Sequence, residues 1–174
     1  MPACVSVIFE KATRVNLSVI PADLDNPGHA ASLLALLDHY ARDPMGGGAG
    51  LSDHAKSTLI ERLREIPHFY GALAFVDGHA VGLIHCFFAF STFAAEPLLN
   101  IHDIVVLDEQ RGKGVGKALL AHAEAVAQET GCCKLTLEVL SNNLAALKVY
   151  QRAGFAPYVL DPKAGSALFL QKKL

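Results

Sequence analysis

The chain has 174 residues, 52% of them hydrophobic and 18% charged, which fits one domain with a proper core and excludes extensive disorder. A net charge of -2 argues against a general nucleic-acid binder, which is usually basic. The opening MPACVSVIFEKATR lacks the basic and apolar regions of a secretory signal, and no apolar run approaches the ~18 residues of a membrane span, so no membrane partner is expected.

In chain order, VNLSVIPA (15–22) reads as a strand and HAASLLALLDHYA (29–41) as a helix, with Leu33, Leu36, Leu37 and Tyr40 recurring at helical spacing. RDPMGGGAG (42–50) follows as a mobile loop, and LSDHAKSTLIERLREI (51–66) restarts a helix with Ser52 as its N-cap. The run at 70–93 divides into two strands about Asp77-Gly78, the strongest hairpin signal in the chain. LNIHDIVVL (99–107) is a strand that enters a glycine-rich loop, and the helix after that loop ends near Thr130-Gly131. KLTLEVL (134–140) alternates as a strand, NLAALKVYQRAGF (143–155) is a helix stopped by Gly154, and APYVLD and SALFLQKK close the chain as a final strand pair. This order predicts an α/β (mixed α+β) fold in a single domain of residues 1–174, a mixed sheet with helices on both faces, and residues 1–14 as an N-terminal extension.

Cys4, Cys86, Cys132 and Cys133 form no Cys-x-x-Cys pair and read as reduced thiols of a reducing, cytoplasmic compartment. The eight histidines are scattered without ligand spacing, so no metal is expected.

The chemistry concentrates in VVLDEQRGKGVGKALLAHAEA (105–125). A Walker-type loop fails because Arg111 stands where its first glycine belongs and Ala118 where its hydroxyl belongs. A dinucleotide fingerprint fails because its third glycine position falls on Lys117. What remains is an Arg-x-x-Gly-x-Gly run, Arg111 to Gly116, between a strand and a helix. Backbone N–H groups at a helix start lack intrahelical acceptors and glycines admit a phosphate closely, so an anion site is expected, with Arg111, Lys113 and Lys117 adding charge. A tight turn with solvated basic residues is the alternative.

That run resembles the hallmark Arg/Gln-x-x-Gly-x-Gly/Ala loop of the Gcn5-related N-acetyltransferase superfamily, and LEVLSNNLAALKVYQRAGF (137–155) resembles its later strand-helix block through Asn143, Ala146, Tyr150 and Gly154-Phe155. The resemblance implies a central, mostly antiparallel sheet of about seven strands, the core motifs lying at 99–155. It implies acetyl-CoA as acyl donor. The backbone of Arg111, Gly112, Lys113, Gly114, Val115, Gly116 and Lys117 would hold the pyrophosphate, and the main chain of Ile104, Val105 and Val106 would pair with the pantetheine arm. Asn143 would hydrogen-bond the pantetheine amides or cap its helix, and both roles are compatible. Tyr150 would donate to the departing thiolate; its alternative is core packing.

The acceptor in such a reaction is a primary amine, protonated near neutral pH because its pKa is roughly 10, so a base must take its proton. His102 and Asp103 are the candidates. As strand neighbours they are expected to face opposite sides of the sheet, so that only one reaches the cleft. An imidazole is the better-matched base near neutral pH, whereas Asp103 could bind an ammonium or be a structural acid. Many members of the superfamily carry a glutamate where His102 stands. CFFAFSTFAAEPLLNIHDIVV further resembles, loosely, the small-molecule branch around spermidine/spermine N-acetyltransferase, with Asp103, Glu96 and Asp43 as the nearby carboxylates. The reading that follows is an N-acetyltransferase for a small-molecule amine such as a polyamine or amino acid, acting as a homodimer. A weakly catalytic acyl-CoA sensor and a protein or peptide acetyltransferase stand as alternatives.

Overall fold

The computed structural model describes residues 16–159, 161, 163, 165 and 167–173. The expected extension at 1–14 lies outside the described residues. Five strands, β1 (Leu17–Pro21), β2 (Phe69–Val76), β3 (His79–Ser91), β4 (Glu96–Val106) and β5 (Leu135–Leu137), form one sheet in sequence order. The first four are antiparallel, and β5 joins β4 in parallel. Four helices complete the fold: α1 (Pro27–Arg42), α2 (Asp53–Arg64), α3 (Val115–Glu129) and α4 (Leu144–Arg152). A parallel pair needs a crossover, and α3 supplies it.

Each helix starts where a side chain accepts an orphan N–H or a glycine substitutes for one. Ser52 Oγ accepts from Ala55 N at 3.1 Å, as expected. Helix α1 begins at Pro27, two residues before the position read from the apolar pattern. Its start is set by Asn26, whose Oδ1 accepts from Gly28 N and His29 N, and by Pro27, which has no N–H to satisfy. The β2–β3 hairpin turns at Asp77 (φ 49) and Gly78 (φ 81), the two left-handed residues of a type I′ turn.

The sheet separates two cores. Beneath α3 lie Ala72, Ala74, Ile84, Cys86, Leu99 and Ile101 with Val115, Leu119 and Leu120; beneath α1 and α2 lie Leu73, Leu83 and Val105 with Leu33, Leu36 and Leu63. Period-two alternation sends successive residues of β2 and β3 into different cores, which is why these strands read as continuous apolar runs.

One expectation requires correction. Among the described residues the sheet has five strands, not about seven: those of 156–161 and 167–173 form no strand, and Leu168, Phe169 and Leu170 are exposed rather than packed on the sheet. Within the segment read as a loop, residues 43–50 form a hydrogen-bonded turn after α1. Asp43 O accepts from Gly46 N and Gly48 N, Asp43 Oδ1 accepts from Met45 N at 2.8 Å, and Gly46 lies so close to the Tyr40 carbonyl that a Cβ there would collide with it.

Candidate functional site

The site begins with an irregularity in β4. Opposite β3, His85 pairs with Asp103 and Cys86 with Ile101, so His102 is one extra residue on β4. Such a bulge reverses the alternation of side chains along a strand. Leu99 and Ile101 before it, and Ile104 and Val106 after it, all pack into the core beneath α3, although their spacing across the bulge is odd. His102 and Asp103 are therefore left together on the α1 side. His102 meets the edge of Phe87 at 5.4 Å between ring centroids, and Asp103 Oδ2 lies 3.2 Å from His85 Nδ1. The expectation that these neighbours face opposite ways is corrected, because it assumed a regular ladder.

The bulge also opens an edge. The parallel ladder stops after Leu99, Asn100 and Ile101, whose partners are Leu135, Thr136 and Leu137. Beyond it β4 runs on to Val106 with no strand on that side among the described residues. This accounts for the shortness of β5, read as 134–140 but observed only at Leu135–Leu137. Leu107 N donates to Val81 O across β3, so alternation turns the main-chain groups of Ile104 and Val106 to the open edge and those of Val105 toward β3. Of the three residues expected to offer their main chain, two face the opening.

At the end of this edge stands the glycine loop. Gly112 (φ 77) and Gly114 (φ 89) are left-handed, and no atom lies within 4 Å of where a Cβ would sit on either. Gly114 is the N-cap of α3, and no side chain caps that end. The first intrahelical bond is Ala118 N to Gly114 O, so the N–H groups of Val115, Gly116 and Lys117 precede any intrahelical acceptor. Val115 is buried and anchors the helix, while Lys113 and Lys117 are exposed beside the loop. An open row of N–H groups, positive helix dipole and flanking lysines is a cradle for a phosphate-bearing group.

Arg111 is placed differently from expectation. Its guanidinium bonds Asp43 at 3.0 Å and Asp108 at 2.9 Å, and its Nε donates to Val106 O at 3.2 Å. It is a bracket tying the turn after α1 to the glycine loop rather than a free charge. Asp43 is held below the usual carboxylate range first by the Met45 N–H and then by Arg111.

Helix α4 brings the remaining expected residues. Asn143 caps it, its Oδ1 accepting from Ala146 N at 3.1 Å, which leaves its amide hydrogens as free donors. Tyr150 packs against the α3-side core and edge-on to Phe155, with ring centroids 6.1 Å apart. Burial, and after it the neighbouring Tyr40 phenol, pushes the Tyr150 hydroxyl up to about 12. That phenol stays protonated throughout the neutral range and is a standing donor. Burial likewise pushes the Cys86 thiol up to about 12, so it is an inert core residue.

Two residues were not singled out from the sequence. Tyr40, read as helix core, carries a phenol raised by burial and then by the charges of Asp103 and Asp43, so it stands electrostatically between the β4 bulge, the turn after α1 and Tyr150. His85 is buried in the middle of β3. The available signal was a lone histidine interrupting the apolar run VGLIHCFF.

The fold is a five-stranded sheet that splays at one parallel edge and places the open stretch of β4 beside the glycine-capped start of α3. Residues 33–155 match the family model of the acetyltransferase (GNAT) family, and the chain belongs to that family. It is 42% identical over 87 residues to a streptothricin acetyltransferase of Streptomyces lavendulae, a match spanning 50% of this chain and 46% of that relative. It is 29% identical over 130 residues to the uncharacterized N-acetyltransferase YycN of Bacillus subtilis, covering 67% of this chain and 79% of the relative. Among solved structures, a probable acetyltransferase superposes with a TM-score of 0.74 at 24% identity over 90% of this chain and 99% of its own. The aminoglycoside N-acetyltransferase AAC(6')-Iy in complex with CoA superposes with a TM-score of 0.72 at 19% identity, over 95% of this chain and 100% of its own. These likenesses concern the fold.

Proposed function

We propose that this chain is an acetyl-CoA-dependent N-acetyltransferase that acetylates the primary amine of a small molecule by direct attack within a ternary complex. The observation that carries the proposal is the continuity of the unpaired β4 edge with the uncapped, glycine-lined start of α3. One is a strand edge for an amide-bearing arm, the other a cradle for its pyrophosphate, and no side chain intrudes at Gly112 or Gly114.

In this reading the N–H groups of Val115, Gly116 and Lys117 hold the pyrophosphate, with Lys113 and Lys117 in support. The Ile104 main chain and the Val106 N–H pair with the pantetheine arm, and the amide hydrogens of Asn143 serve its carbonyls. The bound carrier supplies the activated acetyl thioester. The α1 side of the bulge receives the acceptor: Asp103 offers a carboxylate to its ammonium, and the exposed His102 takes the proton that must leave before nitrogen can attack. The C–N bond then forms as the C–S bond breaks, Tyr150 donates a hydrogen bond where charge collects on sulfur, and the proton shed by the nitrogen as it becomes an amide passes through solvent to the departing thiolate. The names of the streptothricin and aminoglycoside acetyltransferases support a small-molecule acceptor. A homodimer working in the cytoplasm belongs to the same proposal, and light scattering of the purified chain tests the dimer.

The test is thiol release from acetyl-CoA across polyamines, amino acids, aminoglycosides and short peptides, beside calorimetry with CoA. Turnover with one acceptor class supports the proposal and names the class. Failure to bind CoA overturns it, and CoA binding with no turnover on any acceptor favours a sensor.

A further inference from the structure

His85 supplies the one buried side-chain polar atom without a partner among the described residues, its Nε2. The residue is 3% exposed, and Phe69 meets its ring edge-on at 5.3 Å. Its Nδ1 is bonded to Asp103 Oδ2 at 3.2 Å, and the Asp103 side chain is 22% exposed, so the pair runs from the interior to the surface of the α1 side. The same face carries Leu83 and Phe87 on β3, Val105 on β4 and Leu33 on α1, where an apolar residue at position 85 would pack without an orphaned nitrogen. The retained histidine costs stability at Nε2 and gives in return one directed hydrogen bond.

Chemistry fixes the direction of that bond. A carboxylate only accepts, so Nδ1 carries the hydrogen, and a neutral ring then has a bare lone pair at Nε2. Nothing need be donated from the buried side, which suits an Nε2 with no acceptor near it. The carboxylate, held through Oδ2, keeps Oδ1 for another donor. His102 precedes it on the bulge, and the Tyr40 phenol on α1, bonded to Met45 O at 3.4 Å, responds to the Asp103 charge.

Resting on the acetyltransferase reading, we infer that His85 is a positioning residue: by donating Nδ1–H it fixes the Asp103 carboxylate as the seat of the acceptor's primary ammonium, and so sets affinity for the amine rather than for the acyl carrier. This is the hydrogen bond of a catalytic Asp–His pair used in reverse, with the imidazole buried and the carboxylate facing the substrate.

The variants are His85→Asn, whose side-chain amide places a donor near the Nδ1 position, and His85→Leu, which has none. With the best acceptor of the panel, His85→Leu is expected to raise the amine KM at least tenfold, and His85→Asn by no more than about threefold, while CoA affinity by calorimetry stays within twofold for both. Equal amine KM values in the two variants overturn the inference. Nitrogen NMR of the ring decides the pairing without turnover: the Nδ1–H tautomer is expected, and the Nε2–H tautomer overturns it. n-Butylammonium should move the His85 ring signals in the wild type and leave them unmoved in Asp103→Asn; identical behaviour in both also overturns it. Loss of CoA binding by the wild type itself would instead overturn the acetyltransferase reading beneath it.

Discussion

Replacing Tyr150 by Phe removes one oxygen and leaves the ring against Phe155 and the α3-side core in place. What that oxygen contributes follows from its environment. Burial and Tyr40 push the phenol up to about 12, whereas a free alkylthiol such as a departing carrier has a pKa of about 8.5. Complete proton transfer from phenol to thiolate would then be uphill by about 3.5 in pKa, roughly 5 kcal/mol at 1.36 kcal/mol per step. In the proposed reaction Tyr150 would therefore act by hydrogen bonding to sulfur, with the proton remaining mostly on the phenol. A hydrogen bond to a charged group is worth about 1.5–3 kcal/mol, which converts to a loss of roughly 10- to 150-fold in kcat. The assay is steady-state thiol release with saturating acetyl-CoA, paired with calorimetric CoA binding, expected to change by less than about twofold because the lost interaction forms only as sulfur gains charge. An unchanged kcat refutes the reasoning, as does a fall in kcat matched by an equal fall in CoA affinity. So does a basic limb near pH 8 to 9 that vanishes in the Phe variant, because a phenol near 12 has no titration there.

Asp43→Asn keeps an oxygen for the Met45 N–H but cancels one of the two carboxylate charges paired with Arg111, leaving that of Asp108. CoA binding should tighten by up to roughly fivefold at low ionic strength, the worth of an exposed ion pair, and the gain should vanish in 0.5 M salt; salt-dependent calorimetry checks both. His122 bonds the Tyr70 hydroxyl at 2.6 Å, and burial holds its imidazole below the ordinary value, with Glu129 opposing. The native state thus takes up protons less readily than the unfolded chain, so this contribution to stability is complete above about pH 6.5 and is lost as pH falls through the lower folded value. Urea unfolding of the wild type should show weaker stability at pH 5 than at pH 8, and His122→Phe should narrow that difference; an unchanged difference rejects the assignment.

The parts of the fold legible in the sequence are those encoded locally. Ser52 and Asn143 cap helices through their own side chains, Asp77-Gly78 turns a hairpin by backbone preference, and Gly112 and Gly114 occupy left-handed positions that leave space at the helix start. Features decided between strands or segments were not legible. The extra residue at His102 exists only relative to β3, so reading β4 by itself assigned His102 and Asp103 to opposite faces. The bracket from Arg111 to Asp43 joins residues 68 positions apart, and the bond from His85 to Asp103 joins residues 18 apart. Apolar composition at 156–161 and 166–173 predicted two strands, but a strand also requires a partner, and Phe169 and its neighbours remain exposed.

The bulge itself provides the sharpest separation of fold from function. Deleting His102 would leave Ile101, Asp103 and Ile104 opposite Cys86, His85 and Ile84 in one uninterrupted ladder. The side chains would then alternate correctly without it, with Ile101 and Ile104 in the α3-side core and Asp103 on the other face beside His85. Packing therefore gives no reason for the extra residue, and an unpaired bulge residue weakens the ladder it interrupts. What the bulge does accomplish is to turn β4 away from β5 after Ile101, leaving the Ile104 main chain and the Val106 N–H without a strand partner next to the glycine loop, while the Val106 carbonyl is taken by Arg111. The deletion variant is expected to fold with thermal stability equal to or above that of the wild type, while CoA affinity falls at least tenfold because the straightened strand continues its pairing with the segment after Leu137 and closes the groove. Calorimetry with CoA and a thermal melt measured on the same preparation decide the matter. A variant that melts well below the wild type would show that the bulge serves the core, and one that binds CoA undiminished would show that the open edge is not where the carrier lies.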